Sequence, residues 1–165
     1  MIKKTTVLLV NLGTPKSPKV KDVRRYLSEF LNDRRVIDIP WLFRKLLVNL
    51  IIVPFRAPKS AKLYQELWTP QGSPLMIHSQ EMAKKLQSTL GNNYSVKLAM
   101  RYQLPSLTKV MEQIAQENTS KLIVIPLYPQ YASSTTGSIT NKIIREYCCE
   151  SPSIFLAETT NSYSP

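Results

Sequence analysis

The chain has 165 residues, 43% of them hydrophobic, which suffices for one domain with a sizeable core and excludes a disordered chain. Its 22 Lys and Arg against 11 Asp and Glu give a formal net charge of +11, which points to solvated lysine-bearing helix faces or to an anionic partner. No like-charge arm and no RNA- or DNA-binding pattern accompanies that charge, so no nucleic acid is expected, and no uncharged apolar run reaches the ~18 residues of a spanning helix.

After MIKK, the run TTVLLVNL (Thr5 to Leu12) reads as a strand buried on both faces of a parallel sheet. The apolar part is too short for a secretory signal and no small-residue cleavage site follows it, so a cytoplasmic chain is expected. SPKVKDVRRYLSEFLND spaces Val20, Val23, Tyr26, Leu27, Phe30 and Leu31 as an amphipathic helix, with Ser17 as its N-cap and Pro18 at its first position. IPWLFRKLLVNLIIVPF, opening at Ile39 and closing at Phe55, is apolar nearly all round, interrupted by Arg44 and Lys45 and stopped by Pro54. PKSAKLYQELW reads as a second helix, TPQGSP as a loop, and LMIHSQEMAKKLQSTLG as a helix ending at Gly91. SVKLAMRY is a strand, PSLTKVMEQIAQEN a helix, KLIVIPLY a strand, ITNKIIREYCCE a helix and SIFLAETT a fourth strand. Strands alternating with helices predict an α/β fold with a mainly parallel sheet of about four strands, as a single domain over residues 1–165. The adjacent Cys148 and Cys149 suit neither a mutual disulfide nor a zinc site and fit a reducing compartment.

In such sheets ligands bind beyond the carboxyl ends of the strands. There the sequence places NLGTP, MRYQLP, LYPQYASSTTGS and AETTNSYSP. The third is unusual, because two tyrosines, a run of Ser and Thr and a glycine exceed what a plain turn needs. Two readings stay open on composition. The hydroxyls face water and Ser138 caps the next helix, or hydroxyls and helix N-terminus receive a carboxylate or phosphate beside tyrosines that line a flat ligand. No GxGxxG or Walker pattern supports a nucleotide-binding domain.

The stretches LVNLGTP, QGSPL, MRYQLP and PLYPQYASSTTGS, in this order, resemble the amino-terminal half of the ferrochelatase family. The resemblance implies a Rossmann-like, chelatase-type domain, one of two similar domains with a porphyrin between them, and insertion of ferrous iron into protoporphyrin IX, the last step of haem synthesis. Protoporphyrin IX and Fe2+ are then the substrates. The TTGS form resembles the protoporphyrin branch more than the coproporphyrin branch. Carried over by residue, Arg56 (for a propionate), Tyr64, Ser73, the pair Arg101 and Tyr102, and Tyr128 match porphyrin-contacting positions. Leu12 matches a position facing the porphyrin plane, where a leucine cannot ligate metal. The segment from Ile39 to Phe55 resembles the lip at the cleft mouth, which implies peripheral membrane contact; a helix buried in the domain or against a partner is the other reading.

Two departures carry consequences. The family's catalytic histidine and acid belong to motifs that this chain does not carry, and His78 does not match that histidine. The chain is therefore expected to be a fragment without activity of its own; a non-catalytic porphyrin- or haem-binding module is the alternative. Some members hold a [2Fe–2S] cluster through cysteines, one of them in the YPQY…TTGS loop; here Ser133 stands at that position, so neither a cluster nor any other cofactor is expected.

Overall fold

The computed structural model describes residues 4–117, 119–147 and 153–156, the last four and residues 146–147 by their backbone course. The readings made for Cys148, Cys149 and the AETTNSYSP tail lie outside the described residues. The described residues fall into two compact units, one drawn from Met1–Leu12, Ser79–Arg101 and Pro105–Pro165, the other from Gly13–His78 and Tyr102–Leu104.

The first unit contains a sheet of four parallel strands, β1 (Lys4–Asn11), β2 (Tyr94–Met100), β3 (Thr119–Pro126) and β4 (Ser153–Leu156), in the order β2-β1-β3-β4. The uninterrupted apolar run makes β1 central, with residues 6–10 buried on both faces. β3 alternates, burying Leu122, Val124 and Pro126. Against Leu8, Val10, Leu122 and Val124 pack Leu107, Val110, Met111 and Ile114 of helix α5 (Leu107–Gln116), spaced three and four apart, and Ile139 and Ile143 of α6 (Ser138–Tyr147). Ser106 caps α5 by accepting from the Lys109 amide. α4 (Pro74–Leu90), whose first turn belongs to the other unit, ends before Gly91, which takes φ +71°.

The second unit is helical. α1 (Val20–Leu31) buries Val23, Tyr26, Leu27 and Leu31. It starts two residues later than the sequence pattern predicts. Lys19 is its N-cap, and Ser17 and Pro18 stay outside, where the Ser17 hydroxyl donates to the Asp22 carboxylate of the first turn. The next helices also differ from expectation. α2 (Trp41–Leu46), a π-helical turn (Leu47–Ile52) and α3 (Val53–Leu67) form one continuous run through Pro54 and Pro58. Pro54 does not stop the helix because it directly follows the π-helical turn, where the ladder is already widened: the Val53 amide before it reaches back five residues, to the Val48 carbonyl. The buried positions show the extra residue. Arg44, Val48, Val53, Ala57 and Ala61 line the inner face at spacings of four, five, four and four.

That inner face takes in Arg44, one of the two charges that interrupt the apolar run. Arg44 is 7% exposed, and its guanidinium donates to the carbonyls of Ile37 (3.3 Å) and Ile39 (2.9 Å). Trp41, Leu42, Phe43, Leu46, Leu47, Leu50, Ile51 and Phe55 are instead exposed, and Lys45 lies 4.8 Å from the Trp41 ring centroid. Among the described residues no helix is long and apolar enough to cross a membrane.

Candidate functional site

In the first unit the strand ends are tied together. The Arg101 amide donates to the Asn11 carbonyl (2.8 Å) and the Leu127 amide to the Val10 carbonyl (2.7 Å), so the chains leaving β1, β2 and β3 emerge side by side at the carboxyl edge of the sheet. Leu12 is half-buried there, with its amide held by the Asn11 side chain (2.8 Å). Arg101 follows β2, and its Nε donates to the Ser138 hydroxyl (2.8 Å), a group buried at the first residue of α6. Tyr128 follows β3 and packs on the core. Burial pushes its hydroxyl up to about 12, and the nearby Arg101 charge opposes that shift. The structure thus brings Arg101 and Tyr128 together. The Ser/Thr run forms a π-helical turn (Ser133–Gly137) in which the amides of Thr135 and Gly137 both donate to the Ala132 carbonyl. Ser138, the helix cap of the simpler reading, lies inside the helix start and takes the Arg101 bond instead.

The second unit holds the other residues. Tyr64 stands in an aromatic cluster, edge-on to Tyr26 (6.3 Å between centroids) and to Trp68 (6.3 Å), while Tyr26 stacks on Phe30 (6.2 Å). Burial raises the Tyr64 hydroxyl above its ordinary value, opposed by a hydrogen bond with Tyr26 and by the charge of Arg56. Arg56 itself is exposed. Ser73 follows a tight turn in which Thr69 and Gly72 exchange backbone hydrogen bonds (3.1 and 3.0 Å), with Gly72 at φ +122°. Its hydroxyl is buried and accepts from Thr14 Oγ1 at 2.9 Å.

Tyr102, expected to pair with Arg101 at a porphyrin cleft, is enclosed within its own unit. It is 1% exposed, its ring meets Phe30 edge-on (5.3 Å), and its hydroxyl donates to the Asp33 carboxylate (2.8 Å). A ring so enclosed presents no face to a ligand; the Arg-Tyr pair divides between the units, Arg101 in the first and Tyr102 in the second. His78 is exposed on α4. Thr14 and Ser138, which set the hydroxyl and guanidinium of two site residues, escape sequence reasoning. They stand 59 and 37 positions from their partners, and no local pattern announces such a pair.

A parallel α/β sheet with arginine, tyrosine and hydroxyl groups beyond its strand ends defines a class of small-molecule-binding domain. The family model "Ferrochelatase" matches residues 4–163, and the chain belongs to that family. It is 47% identical over 140 residues to a ferrochelatase of Coxiella burnetii (strain Dugway 5J108-111), covering 85% of this chain and 40% of the relative. To a ferrochelatase of Legionella pneumophila (strain Paris) it is 47% identical over 138 residues, covering 84% of this chain and 41% of the relative. The chain therefore spans about two-fifths of the length of the curated relatives it matches.

Proposed function

We propose that this chain contributes the porphyrin-binding half of a ferrochelatase, the enzyme that inserts ferrous iron into protoporphyrin IX to form haem. The observation that carries the reading is the family match over residues 4–163. The residues expected to meet the porphyrin have suitable chemistry. Arg56 offers a charged fork to a propionate, Ser73 and Tyr64 offer hydroxyl donors, Leu12 offers an apolar face to the macrocycle, and Arg101 and Tyr128 offer a guanidinium and a phenol. Insertion of a metal expels two pyrrole protons, which a base must accept. No residue of this chain matches the family's catalytic histidine, so the reading assigns the base to none of its residues, and iron enters as substrate. Ser133 at the position of a cluster cysteine argues for a protein without a [2Fe–2S] centre.

The exposed apolar face of α2 and the π-helical turn is the part we assign to peripheral contact with a membrane, from the cytoplasmic side. Such a site would let a poorly soluble porphyrin pass without crossing water.

Anaerobic titration of the purified chain with protoporphyrin IX, followed by ferrous iron, tests the proposal. Saturable quenching of porphyrin fluorescence is expected, weakened in Arg56→Ala by about 1–3 kcal/mol, with no haem formed. Steady haem formation would place the base within this chain, and unchanged affinity in Arg56→Ala would remove that residue from the site.

A further inference from the structure

We propose that Thr14 is a positioning residue that fixes the Ser73 hydroxyl as a hydrogen-bond donor to a carboxylate of the bound porphyrin; the inference rests on the reading that Ser73 binds that ligand. Thr14 is 6% exposed and Ser73 is 8% exposed, so neither hydroxyl is solvated from all sides. Thr14 Oγ1 donates to Ser73 Oγ across 2.9 Å. A serine hydroxyl has one proton and two acceptor lone pairs. With a lone pair committed to Thr14, the Ser73 proton is turned away from Thr14, and among the described residues it is donated to no acceptor. A nearly buried hydroxyl with an unused proton favours a ligand that brings an acceptor, and an anionic carboxylate is the strongest that a porphyrin carries.

Both ends of the pair are set by backbone geometry. Gly13 precedes Thr14 at φ +110°, and a Cβ there would fall 2.0 Å from the Tyr102 carbonyl oxygen, so the strand leaves its edge on a course open to glycine alone. Ser73 leaves the Thr69–Gly72 turn, which Thr69 Oγ1 reinforces by donating to the Gly72 carbonyl (2.9 Å). With both ends so constrained, the Thr14 hydroxyl holds the Ser73 hydroxyl in one orientation. In Thr14→Val the shape is kept and the donor is lost. The Ser73 hydroxyl can then rotate and spend its proton elsewhere.

The test measures binding of two probes to the full chain, protoporphyrin IX and its dimethyl ester, by fluorescence quenching. Ser73→Ala is expected to weaken the diacid more than the diester. Thr14→Val is expected to weaken the diacid about five-fold, the worth of one neutral hydrogen bond, and the diester less. Thr14→Ser, which keeps the donor, is expected to restore parental affinity even if Thr14→Val does not fold. The double variant is expected to bind no more weakly than Ser73→Ala alone. If Ser73→Ala binds both probes as the parent does, the reading of Ser73 falls and the inference with it. If Ser73→Ala weakens the diacid while Thr14→Val leaves it unchanged, or if the two losses add, the reading of Ser73 stands and the role of Thr14 is overturned. Loss of diacid binding in Thr14→Ser equal to that in Ser73→Ala would overturn it as well.

Discussion

The phenol of Tyr128 connects the chemistry of one side chain to the stability of the chain. Its hydroxyl ionises at 10.0 in water and is pushed up to about 12 in the folded state, because burial disfavours the phenolate more than Arg101 favours it. A group whose folded value is raised binds its proton more tightly in the native state. The stability it contributes is fully present below pH 10 and is lost as the pH rises toward 12. Urea unfolding of the parent should therefore show stability falling across that window, and Tyr128→Phe should flatten the fall. Tyr64, also raised, leaves part of the fall in place. Equal alkaline slopes in parent and variant would exclude Tyr128 as a source. At this scale the sequence marks Arg56, Ser73, Arg101 and Tyr128 as candidates, since they sit in recognisable motifs. The enclosure of Tyr102 was not legible there, because it depends on Asp33 and Phe30, which reach it across 69 positions and more.

Among the elements, the strands were plain in the sequence because each is a short apolar run bounded by turn residues. The helix after residue 40 was legible too, but not its passage through Pro54, which looks like a stop until the π-helical turn before it is known. Arg44 misleads for a related reason. A charge inside an apolar stretch reads as an outward group, yet here the stretch faces out and the charge faces in. Buried arginine survives only with partners, and its partners are the carbonyls of Ile37 and Ile39. Arg44→Met keeps the apolar stem and strips both carbonyls of a donor. It should cost about 1–3 kcal/mol in urea unfolding. Arg44→Lys should recover only part of that, since an ammonium lacks the planar fork that serves two acceptors. A fully stable methionine variant would show that water replaces the guanidinium without loss.

For the molecule as a whole, the decisive quantities are charge and exposed apolar surface. The chain carries a formal net charge of +11 and shows Trp41, Leu42, Phe43, Leu50 and Phe55 to solvent. The large apolar groups would enter a bilayer interface, and Lys45 would supply a cation beside them, worth roughly 1 kcal/mol near anionic headgroups. Sedimentation with anionic liposomes should carry the parent down, and a Trp41→Ser, Leu42→Ser, Phe43→Ser variant should stay in solution. Raising salt should weaken but not abolish parental binding, because screening removes the charge contribution and leaves the apolar one. Equal partitioning of both proteins, each monomeric, would assign the exposed face to something other than a membrane.

The five-residue step from Val48 to Val53 also makes the chain's length adjustable at this point. A π-helical turn is what remains when a helix accommodates one residue more than its α-helical spacing allows. The segment is thus a place where length can change by one without disturbing the anchors on either side. Deletion of Leu50 would bring Val48 and Val53 to a spacing of four, as between Val53 and Ala57. Such a shortened chain should fold with Arg44, Ala57 and Ala61 still facing inward, detected as helical circular dichroism and a melting transition close to the parent's. A shortened chain that unfolds would show the extra residue to be required by packing.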